Sequence, residues 1–274
     1  MPDAPAPTDT FLDDVLDGLA AEPKALPCKY FYDEAGSALF EAITALDAYY
    51  PPRTERAILE AHAAEIAAAL GPGVALVEYG SGSSAKTRVL LDALDAPAAY
   101  VPIDISADYL AATAGALRAE YPALPVLPVV ADFTQPLVLP PLPSTTRRRV
   151  AFFPGSTIGN FDPAEAAAFL GRIARTTGPG GGLVLGVDLR KDPAVLERAY
   201  DDPEGVTAAF NRNVLLRINR ELGGDFDPQA FRHLARYDAD RGRIEMHLVS
   251  AREQTVHVDG HAFAFRAGET IHTE

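Results

Sequence analysis

Two closely spaced glycines and a series of acidic positions carry the first chemical signal in this chain. Glu78-Tyr79-Gly80-Ser81-Gly82 puts glycines where a backbone leaving a strand must turn tightly and approach a ligand closely. Asp104 lies 22 residues beyond Gly82, a spacing from which a carboxylate can accept both ribose hydroxyls of an adenosine. In Ala131-Asp132-Phe133 a carboxylate can take the adenine amino group while the phenyl ring packs on the purine face. Glu78 suits a ligand bearing an amino group and a sulfonium better than it suits polyphosphate. Each feature alone has a plain structural reading, a ligand-free turn for the glycines and a solvated helix cap for each aspartate. Together they describe an adenosine site.

Two rival nucleotide motifs fit less well. Gly80 to Thr87 reads GSGSSAKT, a P-loop pattern with Ala85 where the second glycine belongs, and Asp188 could serve as its magnesium-binding acid. The dinucleotide fingerprint GxGxxG also fails at Ala85, and no second mononucleotide half follows. Further along, Phe152 to Phe161 (FFPGSTIGNF) again brings glycines and a bifunctional amide to a strand end. There Asn160 can donate to and accept from a ligand, or cap a helix beginning at Pro163.

These residues need a scaffold, and the chain supplies an α/β one. Short apolar runs at 75–79, 99–103, 126–130, 149–153 and 182–188 alternate with helical periodicity at 86–94, 107–121 and 163–176. That is the rhythm of a doubly wound parallel sheet. Ahead of it, residues 1–10 read as a loose arm, followed by helices at 11–21, 36–46 and 54–70. Behind it, helices are expected at 193–200 and 206–222. A strand at 243–250 should pair with one at 254–258, with another around 263–265. The expected division is the arm, a helical part of a lid over 11–70, a Rossmann-like cofactor domain over 71–192, and an α+β insert over 193–274 completing the lid at the sheet's carboxyl edge.

Composition narrows the ligand class. The 274 residues carry 24 basic against 38 acidic side chains, a formal charge of −14, which would repel a phosphate backbone. Nucleic acid is therefore not the expected partner. No apolar run approaches the roughly 20 residues of a membrane-spanning helix, and no basic-then-apolar leader opens the chain. With Cys28 as its single cysteine the protein is expected in a reducing cytoplasm. A monomer acting on a small molecule is the expected state. Histidines and cysteines are too scattered for a metal site.

The chain also resembles a known family, the histidine-specific methyltransferases that make trimethylhistidine in the ergothioneine pathway. The likeness runs through YFYDEAG (30–36), YYPPRTERA (49–57), EYGSGSSAKTR (78–88), FPGSTIGNF (153–161), GVDLRKDP (186–193), AYDDPEGVTAA (199–209), RINREL (217–222), IEMHL (244–248) and GETIHTE (268–274). It implies a class I methyltransferase fold with S-adenosylmethionine as cofactor, and Gly80, Gly82, Lys86, Asp104, Asp132 and Phe133 as its contacts. Tyr50, Asn160 and Tyr200 would hold the amino acid's backbone groups, Tyr50 and Asn160 also being the catalytic candidates. Glu274 would receive the imidazole, with Met246 and Gly155 beside the same pocket. As bare residues, Tyr50 and Tyr200 read equally as packing tyrosines, and Met246 as a core strand residue. Family patterns extend past Glu274, with a serine two positions on and further antiparallel strands. A relative acting on another amino acid or an indole, and a non-catalytic cofactor binder, stand as the alternative readings.

Overall fold

The computed structural model describes residues 7–82 and 84–274. Residues 1–6 of the expected arm lie outside the described residues, and from Pro7 onward the chain is helical. In chain order the first elements are α1 (Pro7–Ala20), β1 (Lys24–Ala25), α2 (Glu34–Thr44), α3 (Pro51–Leu70), β2 (Val74–Tyr79), α4 (Ala85–Ala93) and β3 (Ala99–Asp104). Then come α5 (Ala107–Glu120), β4 (Val129–Val130), β5 (Arg148–Phe153), α6 (Pro163–Thr177), β6 (Gly182–Leu185), α7 (Pro193–Tyr200) and α8 (Val206–Leu222). The chain finishes in β7 (Phe231–Asp238), β8 (Arg243–Ser250), β9 (Gln254–Val258), β10 (His261–Phe265) and β11 (Thr270–His272). It divides into two compact units, Pro51–Asp188 and Met1–Tyr50 with Leu189–Glu274.

The unit Pro51–Asp188 is built on a five-stranded sheet in the order β4-β3-β2-β5-β6, every neighbouring pair parallel. The doubly wound fold class expected from sequence is therefore present. β2 is buried along its whole length because helices cover both faces of such a sheet, and that is why its sequence is almost continuously apolar. On one face Leu76, Tyr100, Val150 and Phe152 pack with Leu90. On the other, Val77, Ile103, Ala151 and Phe153 pack with Phe169 and Ile173. The expected strand over 126–130 shrinks to β4 plus an isolated bridge between Tyr100 and Val126, because Pro125 and Pro128 bring no N–H to a ladder. β6 likewise ends at Leu185 where the sequence pattern suggests Asp188. Helix α3, read from sequence with the lid, packs here: its apolar stripe of Leu59, Ala67 and Leu70 joins the sheet's core.

The other unit holds a four-stranded sheet, β1-β11-β8-β7, and a separate hairpin of β9 and β10. The expected pairing of 243–250 with 254–258 does not occur. β8 lies between β7 and β11, while β9 folds back on β10 through Asp259-Gly260, at φ 46° and 78°. Asp-Gly is a strong two-residue hairpin signal and fixes that register locally. Strands β1, β7 and β11 escaped the sequence reading; in β7 the residues Arg232, His233 and Arg236 hide an alternation in which Phe231, His233 and Ala235 are buried. Phe210, Val214 and Ile218 of α8 pack with Phe231, Leu248 and Ile271, and with Phe11, Val15 and Leu19 of α1. Asp33 of the YFYDEAG segment clasps this core from its edge, accepting from Gly36 N at 2.7 Å, Asn213 Nδ2 at 2.7 Å and Arg220 Nη2 at 2.7 Å. Among the described residues no helix is long and apolar enough to cross a membrane.

Candidate functional site

At the carboxyl ends of the parallel strands the chain leaves β2 through Gly80 and Gly82, both at positive φ (71° and 47°). Gly80 N and Ser81 N donate to Ile103 O at 2.9 and 3.2 Å, which bends the turn across the end of β3. Asp104 closes that strand. Its Oδ2 accepts from Gly82 N at 3.2 Å and its Oδ1 from Ser106 N at 3.0 Å, so backbone donors fix the carboxylate's orientation. The Asp132 Oδ1 accepts from Thr134 N at 2.8 Å and sets the turn that presents Phe133. The Phe133 ring is held by Phe153 and Phe169, each with centroids 5.7 Å away. A Cβ added at Gly80 would meet Phe133 at 3.5 Å, so the glycine leaves open a space beside the ring that a side chain would fill. Carboxylate, glycine turn and ring suit the ribose and base of an adenosine cofactor.

Glu78 is anchored within the fold. It is 2% exposed, and its carboxylate accepts from the Tyr100 hydroxyl and from Thr87 Oγ1, the latter at 2.6 Å. Ser84 Oγ is 3.0 Å from the same Tyr100 hydroxyl. Glu78 therefore ties β2, β3 and α4 together beneath the glycine turn. Desolvation pushes its carboxyl up to about 7 from the usual 4.5, against the lowering effect of Thr87 and Tyr100. The folded state thus takes up a proton that the unfolded chain releases near its ordinary value, and stability should fall as pH rises from about 4.5 to about 7. Glu78→Gln should remove roughly 3 kcal/mol at most of that fall. Urea unfolding across this range should show a shallower loss for the variant than for the unaltered chain, and parallel curves would reject the assignment.

The segment after β5 is shaped by Gly155 (φ 81°) and Ser156 (φ 58°), and Asp188 N donates to Ser156 Oγ at 3.0 Å. Asn160 ends a short 3-10 turn, Thr157–Asn160. The cap of α6 is Asp162, whose N–H donates to Glu165 Oε2 at 3.0 Å, so the capping role open to Asn160 in the sequence belongs to its neighbour. Glu55, absent from the sequence reading of the site, accepts from Gly155 N at 2.8 and 3.0 Å and pairs with Lys86. The signal for it was there, inside the YYPPRTERA segment.

The remaining candidates belong to the other unit. Tyr200, last residue of α7, has its ring 5.6 Å from that of Tyr49, nearly perpendicular. Burial pushes its hydroxyl well above 10, and Tyr49, Glu274 and Tyr50 push the same way, which places these four groups in one neighbourhood. Its backbone is fixed by a relay: Asn211 Nδ2 donates to His233 Nδ1 at 2.9 Å, and His233 Nε2 donates to Tyr200 O at 2.8 Å. Desolvation lowers the His233 pKa, consistent with the neutral tautomer this relay requires. Tyr50 carries the Lys191 ammonium 4.6 Å from its ring centroid. Met246 is 2% exposed and belongs to the core cluster against which Tyr49 and Tyr200 pack. Met246 N donates to Glu274 O at 2.7 Å and Thr273 N to Met246 O at 2.9 Å. Desolvation lifts the Glu274 carboxyl to about 7. Tyr49 and the His233 relay were missed; nothing in the sequence marks two residues of α8 and β7 as the support of Tyr200.

Residues 11–274 match the model of a family described as histidine-specific, S-adenosylmethionine-dependent methyltransferases. The chain is 50% identical over 266 residues to a histidine N-alpha-methyltransferase of Mycolicibacterium smegmatis, covering 95% of this chain and 82% of that protein. It is 49% identical over 266 residues to the enzyme of the same description in Mycobacterium tuberculosis, with the same coverage, 95% and 82%. With ergothioneine biosynthesis protein 1 of Neurospora crassa the identity is 32% over 247 residues, 82% of this chain and 28% of that much longer protein.

Proposed function

The chain belongs to the histidine-specific, S-adenosylmethionine-dependent methyltransferases, and from that membership we propose that it methylates the α-amino nitrogen of free L-histidine three times. The product is the quaternary Nα-trimethyl derivative, hercynine, at the start of ergothioneine biosynthesis. The observation that carries this reading is the grouping of Tyr49, Tyr50 and Tyr200 with a Glu274 carboxyl lifted to about 7. An acid in that range shares a proton readily with an imidazole, and tyrosine hydroxyls donate well to an amino acid's carboxylate.

S-adenosylmethionine, when bound, supplies a methyl group on a positively charged sulfur and needs no metal to do so. The chain's own residues hold and orient. Tyr200 keeps its proton throughout, because its hydroxyl titrates well above 10, so it acts as a hydrogen-bond donor. The amine's proton leaves to water, and only the neutral amine has the lone pair to react. Asn160 is the second proposed donor to the substrate carboxylate, and the pair acts by positioning. The face of Tyr50, which already carries a lysine ammonium, suits a product that gains permanent positive charge. The protein acts in this reading as a cytoplasmic monomer on a free small molecule.

Incubation with S-adenosylmethionine and each of histidine, tryptophan and tyrosine, followed by mass spectrometry, tests the proposal. The expected result is accumulation of trimethylated histidine with little modification of the other two. Preference for tryptophan or tyrosine would overturn the substrate assignment. Cofactor binding without binding of any amino acid would overturn the catalytic one.

A further inference from the structure

The amino-acid end of the cofactor carries a carboxylate and an ammonium, which call for a cation and an anion at the carboxyl ends of the parallel strands. Glu78 is 2% exposed, and its Oε2 is occupied by Thr87 and Tyr100 under the glycine turn. The neighbouring acid is Glu55 of α3. Both of its oxygens lie within hydrogen-bond distance of Gly155 N, at 2.8 and 3.0 Å, and Oε2 also pairs with the Lys86 ammonium.

One glycine donates to this carboxylate and another makes room for it. Gly155 follows β5 at φ 81°, and Gly186 follows β6, where an added Cβ would overlap Glu55 Oε1. A carboxylate seated against backbone in this way belongs to the floor of the site and is not a stand-in waiting to be displaced. It remains partly open, with the Glu55 and Lys86 side chains 17% and 25% exposed. Lys86 has three N–H donors and Glu55 about four lone-pair positions, so neither is exhausted by the contact between them.

We propose that the Glu55–Lys86 ion pair is the receptor for the zwitterionic amino-acid end of S-adenosylmethionine, Lys86 taking the carboxylate and Glu55 the ammonium. An ion pair that opens to admit a zwitterion exchanges one set of opposite charges for another, so no unpaired charge is left in a partly buried place. Glu55 also holds Lys86 in register before the ligand arrives. The inference rests on the cofactor assignment made above and extends it to a residue that assignment does not include.

Calorimetric titration of the full chain with S-adenosylhomocysteine and with 5′-methylthioadenosine separates the possibilities, because the second ligand keeps the nucleoside and thioether but lacks the amino acid. The unaltered chain should bind the first more tightly. Glu55→Gln, nearly isosteric, should weaken S-adenosylhomocysteine about 10–100-fold and leave methylthioadenosine within about two-fold. Retained methylthioadenosine binding also reports that the variant is folded. Unchanged or tighter binding of S-adenosylhomocysteine would overturn the inference and make Glu55 a competitor for Lys86. Equal loss of both ligands would overturn it in favour of a purely structural role. If the unaltered chain bound neither nucleoside, the cofactor assignment itself would fall, and this inference with it.

Discussion

Replacement of Glu274 by alanine is expected to weaken histidine binding about 10–100-fold while S-adenosylhomocysteine binds within about two-fold of its normal affinity. The asymmetry follows from where the carboxyl is held. Its backbone oxygen is fixed by Met246 N at 2.7 Å, within a unit that contains none of Gly80, Asp104 or Phe133. The loss should depend on pH, because desolvation puts the carboxyl at about 7, close to the ordinary value of an imidazole. At about pH 8 a carboxylate accepts from a neutral ring N–H, while at about pH 6.5 the pair shares one proton and a carboxylate faces an imidazolium, the stronger charge-assisted bond. Histidine affinity of the unaltered chain should therefore rise on acidification through this range, and Glu274→Ala should flatten the dependence. Glu274→Gln should give an intermediate loss with a flat profile, since an amide still offers an acceptor but does not titrate here. Calorimetry at both pH values decides the matter. Equal loss of histidine and cofactor, or a variant that binds histidine normally, would remove Glu274 from the acceptor site.

The parts of this fold that were legible in the sequence are those written by local rules. Strands β2, β3 and β5 read as strands because a sheet covered on both faces demands unbroken apolar runs. Helices α7 and α8 were bounded by Asp192-Pro193 and Gly223, which start and stop helices by chemistry of their own. Asp104 and Phe133 were legible because a strand end and a glycine turn fix their neighbours within one βαβ unit. What stayed hidden depends on long-range pairing. β11 is three residues long and has meaning only between β1 and β8, whose sequence distances from it no periodicity encodes. Glu55 meets Gly155 across 100 residues, and Asn213 meets Asp33 across 180. Glu78 was legible as an acid but not in its orientation, because its partner Tyr100 looks, in the sequence, like any aromatic strand residue. The resemblance to a family supplied Tyr50, Tyr200 and Glu274, whose grouping composition and spacing alone would not have suggested.

Asp104 should give the largest loss on the cofactor side, about 100-fold in affinity for S-adenosylhomocysteine in the Asp104→Asn variant. Two of its lone-pair directions are already committed, Oδ2 to Gly82 N and Oδ1 to Ser106 N, at 3.2 and 3.0 Å. Those bonds orient the carboxylate, so the lone pairs that remain are preorganised acceptors for a ribose diol. An amide at this position must turn its NH2 toward a backbone N–H or toward a ribose hydroxyl, and either choice replaces an acceptor by a donor. The side chain also loses the negative charge that strengthens each of its hydrogen bonds. The loss should be the same for S-adenosylhomocysteine and methylthioadenosine, which share the ribose; this sets it apart from the effect at Glu55, expected only for the ligand with an amino-acid end. A 2′-deoxy analogue completes the test. The unaltered chain should discriminate against it, and the variant should bind it nearly as well as the ribose form, because the group that reads the hydroxyl has gone. Undiminished discrimination in Asp104→Asn would show that another residue holds the ribose and would reduce Asp104 to a support for the glycine turn.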